Sequence, residues 1–419
     1  MTEPPAGESW SHRTFRSLRV HNFRLFFIGQ LVSVVGLFMD YTARAWLVLE
    51  LTGDGRAVGL TVGLGFAPLL VLGPWAGVVA DRTDKRRMVL IAQVVLGICA
   101  LLLGVLVITD AISMWMVYTI VLVSGTATAF ENPARRSFLS ELVSRDDVAN
   151  AVSLSSSVAA AARAGGPALA GLVIAGFGVA PAFIANGLSY LVSMASLVLM
   201  HADALHPSVP VPRQRGQVLE GFRYVATTPS VGIPLLLMGV IGTTAFNYPV
   251  SIPLITTAVF GSGPAAFGLA LSLVAFGAFL GALYIAGRTT LSIQYLSGIA
   301  VVFGLATVAN ALAPTLSSFT ALLVATGFTG SAFTVVCNGL LQRDAAPNMA
   351  GRALALFSVA FIGSSAIGAP AVGLIAELVH PRAGLGVGGA VAIAAGALTL
   401  AGAHRRRRVE DSAAPSADD

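Results

Sequence analysis

The sequence predicts an all-α membrane protein with twelve transmembrane helices arranged as two six-helix bundles. Two observations lead to this prediction: a composition too apolar for a water-soluble chain, and an internal repeat at about half the chain length. Of the 419 residues, 56% are hydrophobic and 11% are charged, whereas roughly a quarter of an ordinary soluble domain is charged. A soluble protein of this size has too little interior to remove so much apolar surface from water.

The repeat consists of two stretches rich in small residues. Residues 163–172 read Arg-Ala-Gly-Gly-Pro-Ala-Leu-Ala-Gly-Leu, and residues 368–376 read Gly-Ala-Pro-Ala-Val-Gly-Leu-Ile-Ala. Aligning Gly171 with Gly373 also aligns the first glycine of the second stretch with a glycine of the first. Many secondary transporters are built from such repeats, with the substrate site between the two halves.

Twelve apolar stretches are long enough to cross a bilayer, which requires about 20 residues each. We number them spans 1 to 12, and they cover residues 23–49, 57–80, 87–109, 112–133, 148–177, 180–201, 231–259, 265–286, 292–311, 317–341, 352–379 and 385–403. The expected organisation is an N-terminal bundle (residues 1–201), a cytoplasmic inter-bundle loop (202–230), a C-terminal bundle (231–403) and a disordered cytoplasmic tail (404–419).

The basic residues orient these spans. With the amino terminus in the cytoplasm, the 25 Lys and Arg residues all fall on cytoplasmic segments except Arg44 and Arg163, within spans, and Arg56 and Arg382, outside. Such a bias is the usual topological signal. We therefore expect a multi-pass protein of a bacterial cytoplasmic membrane with both termini inside, whose net charge of +5 requires no nucleic-acid partner.

The loop between spans 2 and 3 contains a glycine, an Asp-Arg pair and then a basic cluster. In this chain these are Gly77, Asp81 and Arg82, with Arg86 in the cluster. The glycine permits close approach of a neighbouring helix, the carboxylate suits the positive amino end of a helix, and the arginines stay at the cytoplasmic surface. An ordinary cytoplasmic loop is the alternative interpretation.

Span 5 contains a glycine-proline pattern made of Gly166, Pro167 and Gly171. Small residues allow close helix packing in lipid, and a proline removes one backbone donor and bends a helix. A bend there would help to set the side towards which a central cavity opens. Plain helix packing is the alternative interpretation.

Both patterns resemble signatures of the major facilitator superfamily. The loop is similar to the superfamily's loop signature, although Asp84 stands where the family usually has glycine. The run in span 5 is similar to the antiporter signature, with Ala170 in place of one glycine. The resemblance implies that Asp81 and Arg82 latch the two halves together in one of the alternating states.

Three further segments resemble one branch of this superfamily. They are residues 36–53 in span 1, residues 132–135 in span 4 and residues 149–151 at the start of span 5. The chain is similar to the drug:proton antiporter branch that includes macrolide and siderophore (enterobactin-type) exporters. The resemblance covers nearly the whole chain and does not identify a substrate.

Three ionisable side chains inside the spans are candidates for proton coupling. Asp40 and Arg44 lie four residues apart on span 1 and so share a helix face, and Arg163 lies near the middle of span 5. A charge at bilayer depth is costly unless it is paired or hydrated. A carboxylate that pairs with an arginine can accept a proton, release the arginine and bias a two-state bundle. A static salt bridge that only fixes helix packing is the alternative.

Two other acidic residues are expected to play different roles. Glu131 lies beside Arg135 and Arg136 near the cytoplasmic end of span 4, where we expect a structural or gating pair. Glu377, near the outer end of span 11, is expected to be solvated.

Substrate contacts are expected on the helices that line the cavity in this fold, which are spans 1, 4, 7 and 10. Asn247 and Tyr248 precede a proline in span 7, where the proline frees a backbone carbonyl in mid-span. Phe246 and Phe130 are candidates for lining an apolar pocket, and Asn338 in span 10 is a weaker polar candidate.

The chain has no nucleotide-binding Gly-x-x-x-x-Gly-Lys run, no cluster with metal-ligand spacing and no nucleophile beside a base. We therefore expect neither enzyme activity nor ATP drive, and neither a metal nor a cofactor. The leading hypothesis is a monomeric, proton-coupled exporter of amphipathic small molecules (drugs, siderophores or secondary metabolites) that works by alternating access. The alternatives are uptake of a small solute, movement of lysophospholipid across the bilayer and, less favoured, a non-transporting membrane sensor.

Overall fold

Twelve helices among the described residues are long and apolar enough to cross a membrane, so the predicted number of spans is confirmed. The structure, a computed structural model, describes residues 14–206, 217–288, 290–347 and 349–413. The first half contains α1 (His21–Thr52), α2 (Gly55–Arg82), α3 (Lys85–Ile108), α4 (Met114–Leu139), α5 (Val148–Phe177) and α6 (Ala180–Val198). The second half contains α7 (Gln217–Thr227), α8 (Pro229–Ala245), α9 (Tyr248–Leu254), α10 (Pro264–Ala286), α11 (Ile293–Ala311), α12 (Leu316–Asp344), α13 (Ala350–Leu378) and α14 (Ala383–Ala413).

Span 7 is not one continuous helix. It consists of α8 and α9, separated at Phe246 and Asn247, and then passes into a π-helical turn at Ile255–Val259. Pro249, in the first turn of α9, has no backbone N–H to bond a carbonyl of the preceding turn. The proline therefore accounts for the break at this place in the span.

Two segments outside the spans contain more helix than the sequence predicts. The expected inter-bundle loop contains α7, a short amphipathic helix, although residues 207–216 lie outside the described part of the chain. The last helix continues to Ala413, where the sequence predicts a disordered tail, and residues 414–419 lie outside the described part. An eleven-residue helix is too short to stand out by its hydrophobic length.

The helices form two units. The first comprises Met1–Leu47 and Ala67–Pro212, and the second comprises Val48–Phe66 and Arg213–Asp419. The end of α1 and the start of α2 thus belong to the second unit, whereas sequence order alone assigns them to the N-terminal bundle. Within the first unit α3 lies against α4 and α6, and within the second α10 lies against α12 and α11 against α14.

The sequence repeat occupies corresponding places in the two units. A Cβ atom at Gly166 of α5 would lie 2.7 Å from the Cβ of Phe38 on α1. A Cβ atom at Gly368 of α13 would lie 2.0 Å from the backbone oxygen of Thr243 on α8. Because interiors are close-packed, neither position accepts a side chain without a shift of its neighbour. The repeated glycines therefore let the fifth and eleventh spans approach the first and seventh.

Candidate functional site

Asp40 and Arg44 form an ion pair within α1. Arg44 Nε lies 2.7 Å from Asp40 Oδ2, and none of the Asp40 side chain is exposed. Neither carboxylate oxygen has a hydrogen-bond donor in good geometry among the described residues, so the contact is mainly electrostatic. A buried carboxylate of this kind depends on its positive partner, because removal of that partner leaves an uncompensated charge.

Two side chains from other helices complete the surroundings of this pair. Arg44 Nη1 donates a hydrogen bond to Ser124 Oγ on α4 at 3.0 Å, and the buried Asn186 side chain on α6 approaches the Asp40 carboxylate. The pair is therefore placed where α1, α4 and α6 of the first unit meet. Sequence reasoning missed Ser124 and Asn186 because a single polar residue in a span carries no periodic signal.

Arg163 lies apart from this pair. Its guanidinium carbon is 5.2 Å from the centre of the Phe38 ring, and it forms no ion pair with a carboxylate among the described residues. Tyr41 lies within electrostatic reach of it. Of the three predicted coupling residues, the structure brings together Asp40 and Arg44 and leaves Arg163 with aromatic neighbours.

A second buried acid–arginine pair lies on α4. Glu131 accepts a hydrogen bond from Arg135, one helical turn away, and another from Gln93 Nε2 on α3 at 3.3 Å. Only 8% of the Glu131 side chain is exposed. The pair repeats on α4 the four-residue spacing found on α1, and that spacing is the sequence signal that finds both pairs.

Tyr190 of α6 lies near both pairs. It is buried and lies within electrostatic reach of Asp40, Glu131, Arg135 and Tyr41. Charges interact over longer distances in a protein interior than in water, because the effective dielectric constant is lower. Both pairs therefore contribute to the electrostatic surroundings of Tyr190.

The predicted substrate contacts of span 7 meet in the second unit. The Phe246 ring stacks on Phe303 with centroids 5.2 Å apart and lies 6.2 Å from the Tyr248 ring. Asn247 Oδ1 and the Tyr248 hydroxyl are buried and have no hydrogen-bond partner among the described residues. Such an atom costs about 1–3 kcal/mol. These two atoms are therefore candidates to bind a polar group of a ligand.

The other two predicted substrate contacts have different surroundings. Phe130 lines an apolar cavity of about 790 Å³ formed by residues of α2, α3 and α4 in the first unit. Asn338 of α12 accepts a hydrogen bond from Gln342, one turn along the same helix. No group of three or more His, Cys, Asp or Glu side chains that could hold a metal ion occurs among the described residues.

The predicted latch between α2 and α3 is described only in part. Gly77 lies within α2 and Arg82 is exposed at its end, but the side chain of Asp81 lies outside the described residues. Arg86 donates to two carbonyls at the end of α6, at 2.9 and 3.1 Å. A cation is stabilised there, because the last carbonyls of a helix carry partial negative charge.

Asp84 begins α3. Its carboxylate accepts a hydrogen bond from the backbone N–H of Arg87 at 3.1 Å, in the manner of a helix N-cap. The departure from the family's glycine at this position therefore has a local structural role.

The glycine-proline pattern of span 5 lies inside an uninterrupted helix. Gly166, Pro167 and Gly171 are all buried, and α5 continues through them from Val148 to Phe177. The contact of Gly166 with α1 supports the packing interpretation of this pattern. The role of the pattern in setting the side towards which a central cavity opens stays a prediction.

The sequence predicts a solvated Glu377; in the structure its side chain is exposed and also accepts a hydrogen bond at the start of α2. Its carboxylate accepts a hydrogen bond from the Gly55 backbone N–H at 3.0 Å, and the neighbouring Asp54 accepts one from the Arg56 N–H at 2.7 Å. Burial opposes ionisation of Asp54, but the bonds from Arg56 and its positive charge outweigh it and hold the pKa of Asp54 below its usual value. The two carboxylates thus satisfy free N–H groups in the first turn of α2.

Comparison with known proteins identifies one matching family model and several related transporters. The family model described as "Transmembrane secretion effector" matches residues 12–418. The staphyloferrin A transporter of Staphylococcus aureus is 26% identical over 264 residues, which cover 62% of this chain and 64% of that protein, less than two thirds of its length. The enterobactin exporter EntS of Salmonella typhi is 25% identical over 390 residues, which cover 90% of this chain and 91% of that protein.

A solved structure shares the fold at low identity. The crystal structure of a POT family transporter in complex with a thioalcohol-conjugated peptide has a TM-score of 0.74 and 11% identity, and the match covers 94% of this chain and 99% of that one. At this identity the likeness shows the fold alone.

Proposed function

This chain belongs to the major facilitator superfamily, within its transmembrane secretion effector family, and from that premise we propose that it exports amphipathic small molecules in exchange for protons. The substrate class includes drugs, siderophores and secondary metabolites. The transporter works as a monomer by alternating access, without ATP, with both termini in the cytoplasm. The exporter named among its relatives supports outward transport.

The observation that carries the proposal is the buried Asp40–Arg44 pair. A carboxylate with no exposed surface in the middle of a membrane span is energetically costly. Its presence therefore indicates a functional role. A proton on Asp40 removes the charge that holds Arg44, so that Arg44 keeps only its hydrogen bond to Ser124 on α4. Proton binding in α1 thereby changes a contact between two helices of the first unit.

Two other groups have proposed parts in this cycle. The stacked rings of Phe246 and Phe303 and the unpartnered atoms of Asn247 and Tyr248 support a role for the second unit in holding the substrate. Asp81 and Arg82, together with Gly77 and Arg86, form the proposed latch. A change of about 1 kcal/mol shifts a balanced two-state equilibrium severalfold, so the loss of a single such contact is enough to change the populations of the two alternating states.

The test uses inside-out membrane vesicles with an imposed proton gradient and a panel of labelled amphipathic compounds. We expect gradient-driven uptake of at least one compound into wild-type vesicles. Asp40→Asn should abolish this gradient-driven flux and leave substrate binding within a few-fold, because the neutral side chain mimics the protonated form. The matched control is Asp110→Asn, an exposed aspartate with a positive φ of 51°, a conformation that asparagine also adopts.

Each result decides between the proposal and an alternative. Full gradient-driven flux in Asp40→Asn would place proton coupling elsewhere and leave the pair as a static salt bridge. Gradient-driven flux in the opposite direction would favour uptake, and flux of lysophospholipid alone would favour lipid movement. Wild-type vesicles that move no compound of the panel would favour the non-transporting sensor.

A further inference from the structure

Arg163 differs from Arg44 and Arg135, two other arginines of first-unit helices, in having no acidic partner among the described residues. Arg44 is paired with Asp40, and Arg135 is paired with Glu131. Arg163 lies midway along the 30-residue helix α5, is exposed, and has no ion pair with any described residue. The first unit therefore holds one arginine in mid-span whose charge is not neutralised by its described neighbours.

An unpaired guanidinium at this depth must face water or a ligand. Placing an arginine at the centre of a membrane helix is costly unless its charge is paired or hydrated. The exposed side chain of Arg163 reduces this cost if the surface it reaches is hydrated. An exposed, positively charged position in mid-span is a candidate site for substrate binding.

The neighbours of Arg163 are aromatic. The guanidinium carbon lies 5.2 Å from the centre of the Phe38 ring, and that ring makes an edge contact with Tyr41 at 6.2 Å between centroids. Tyr41 is also exposed and lies within electrostatic reach of Arg163. These three side chains, from α1 and α5 of the first unit, present a planar cation beside one apolar ring and one ring with a hydroxyl.

This combination suits an anion with an aromatic or apolar body. A guanidinium binds a carboxylate through two parallel N–H···O bonds, which a lysine cannot do. The Phe38 and Tyr41 rings offer apolar surface to the rest of the molecule, and the Tyr41 hydroxyl offers a further donor. A cationic amphiphile, by contrast, meets repulsion from the unpaired arginine.

We propose that Arg163, Phe38 and Tyr41 form a binding site for the acidic group of an amphipathic organic anion. The proposal rests on the proposed transport function and narrows its substrate class from amphipathic molecules in general to organic acids. It also gives Arg163 a role in substrate binding in place of the proton coupling expected from the sequence.

The test compares two dyes that share a ring system and differ in charge. Fluorescence polarisation with the purified full-length protein measures equilibrium binding of anionic 5-carboxyfluorescein and cationic rhodamine 6G. We expect saturable binding of the anion. Arg163→Gln should weaken it by about tenfold or more, the scale of one charge-assisted hydrogen bond. Arg163→Lys should weaken it less, because the charge is kept and the planar fork is lost.

Two controls keep the test decisive. Arg56→Gln removes an exposed arginine in the first turn of α2, which belongs to the second unit, and should leave binding unchanged. Arg163→Lys reports on the site even where Arg163→Gln proves unstable, as judged by size-exclusion chromatography. Equal affinity of the wild type, Arg163→Gln and Arg163→Lys for the anion would overturn the proposal. So would a wild type that binds rhodamine 6G alone or neither dye.

Failure of this site is distinguishable from failure of the proposed function. Binding is measured without a gradient, whereas export requires one. Binding of the anion that depends on Arg163, without gradient-driven flux of the same dye, upholds the site and counts against the export function. Gradient-driven flux of rhodamine 6G without any binding of the anion upholds export and overturns the site.

Discussion

The carboxylate of Glu377 accepts a hydrogen bond from the backbone N–H of Gly55 at 3.0 Å, which joins the end of α13 to the first turn of α2. The two helices also approach closely along their length. A Cβ atom at Gly59 would lie 2.4 Å from the backbone oxygen of Ala369. The start of α2 is thus held within the second unit by one helix-capping bond and by contacts between small residues.

Glu377→Ala should loosen the start of α2. The variant leaves the Gly55 N–H without its acceptor, and loss of a cap costs about 1 kcal/mol. Hydrogen–deuterium exchange of peptides covering residues 55–62 should rise by about fivefold, while peptides from α10 exchange as in the wild type. Glu377→Gln is the matched control, because its amide oxygen still accepts the bond. Equal exchange in the alanine variant and the wild type would show that the bond contributes no protection.

Gly166→Ala should destabilise the protein, whereas Gly165→Ala should not. A Cβ at Gly166 meets the Cβ of Phe38 at 2.7 Å, and one at Gly165 meets no atom within 4 Å. Overpacking of this kind costs about 1–3 kcal/mol, while the change at Gly165 adds helix propensity. Thermal unfolding of the purified variants measures the difference. The same melting temperature for both would mean that α1 and α5 adjust without strain.

Glu131→Ala should destabilise the protein more than Glu220→Ala does. Glu131 is buried and holds Arg135 and Gln93, whereas Glu220 pairs with Arg352 and is 55% exposed. We expect a loss of about 2 kcal/mol at the buried pair and about 0–1 kcal/mol at the exposed one. Both are measured as shifts in melting temperature.

A double variant separates the buried pair from simple truncation. Glu131→Ala combined with Arg135→Ala should destabilise less than the sum of the two single variants, since neither partner is then left alone. Strict additivity would contradict an energetic coupling between Glu131 and Arg135.

Asp81→Asn should reduce transport without preventing membrane insertion. The carboxylate is placed by sequence to meet the positive end of a helix, an interaction worth about 1 kcal/mol, which corresponds to about fivefold in a two-state equilibrium. Asp84→Asn, in the same loop, is the control, because asparagine also serves as an N-cap. Transport rates are compared at equal expression, and an unchanged rate in Asp81→Asn would remove the latch role.

Reporter fusions should place both the carboxyl terminus and the loop between the halves in the cytoplasm. The cytoplasmic bias of the arginines is the reason. Fusions of green fluorescent protein at Asp419 and near Gln214 should fluoresce, and alkaline phosphatase at the same places should be inactive. A fusion near Arg382 serves as the outside control and should show the reverse. Phosphatase activity at either cytoplasmic position would overturn the topology.

The number of spans and the pair on α1 follow from local patterns, and local patterns are readable from sequence. A span must carry about 20 apolar residues whatever its neighbours are, because the bilayer sets that length. Asp40 and Arg44 face each other because residues four apart on a helix share a face. The same rule applies to Glu131 and Arg135, for which the sequence predicts a structural or gating pair.

The tertiary structure decided which distant residues meet. The bond between Glu377 and Gly55 joins residues 322 positions apart, and Arg163 lies on Phe38 and not at Asp40. No periodicity encodes such contacts, because they depend on how each helix is rotated and which neighbour it packs against. In lipid that choice is made by the close fit of small residues and buried polar groups. The sequence by itself therefore determined the helices and their local charge pairs, and the packing of those helices determined which charges were left without a partner.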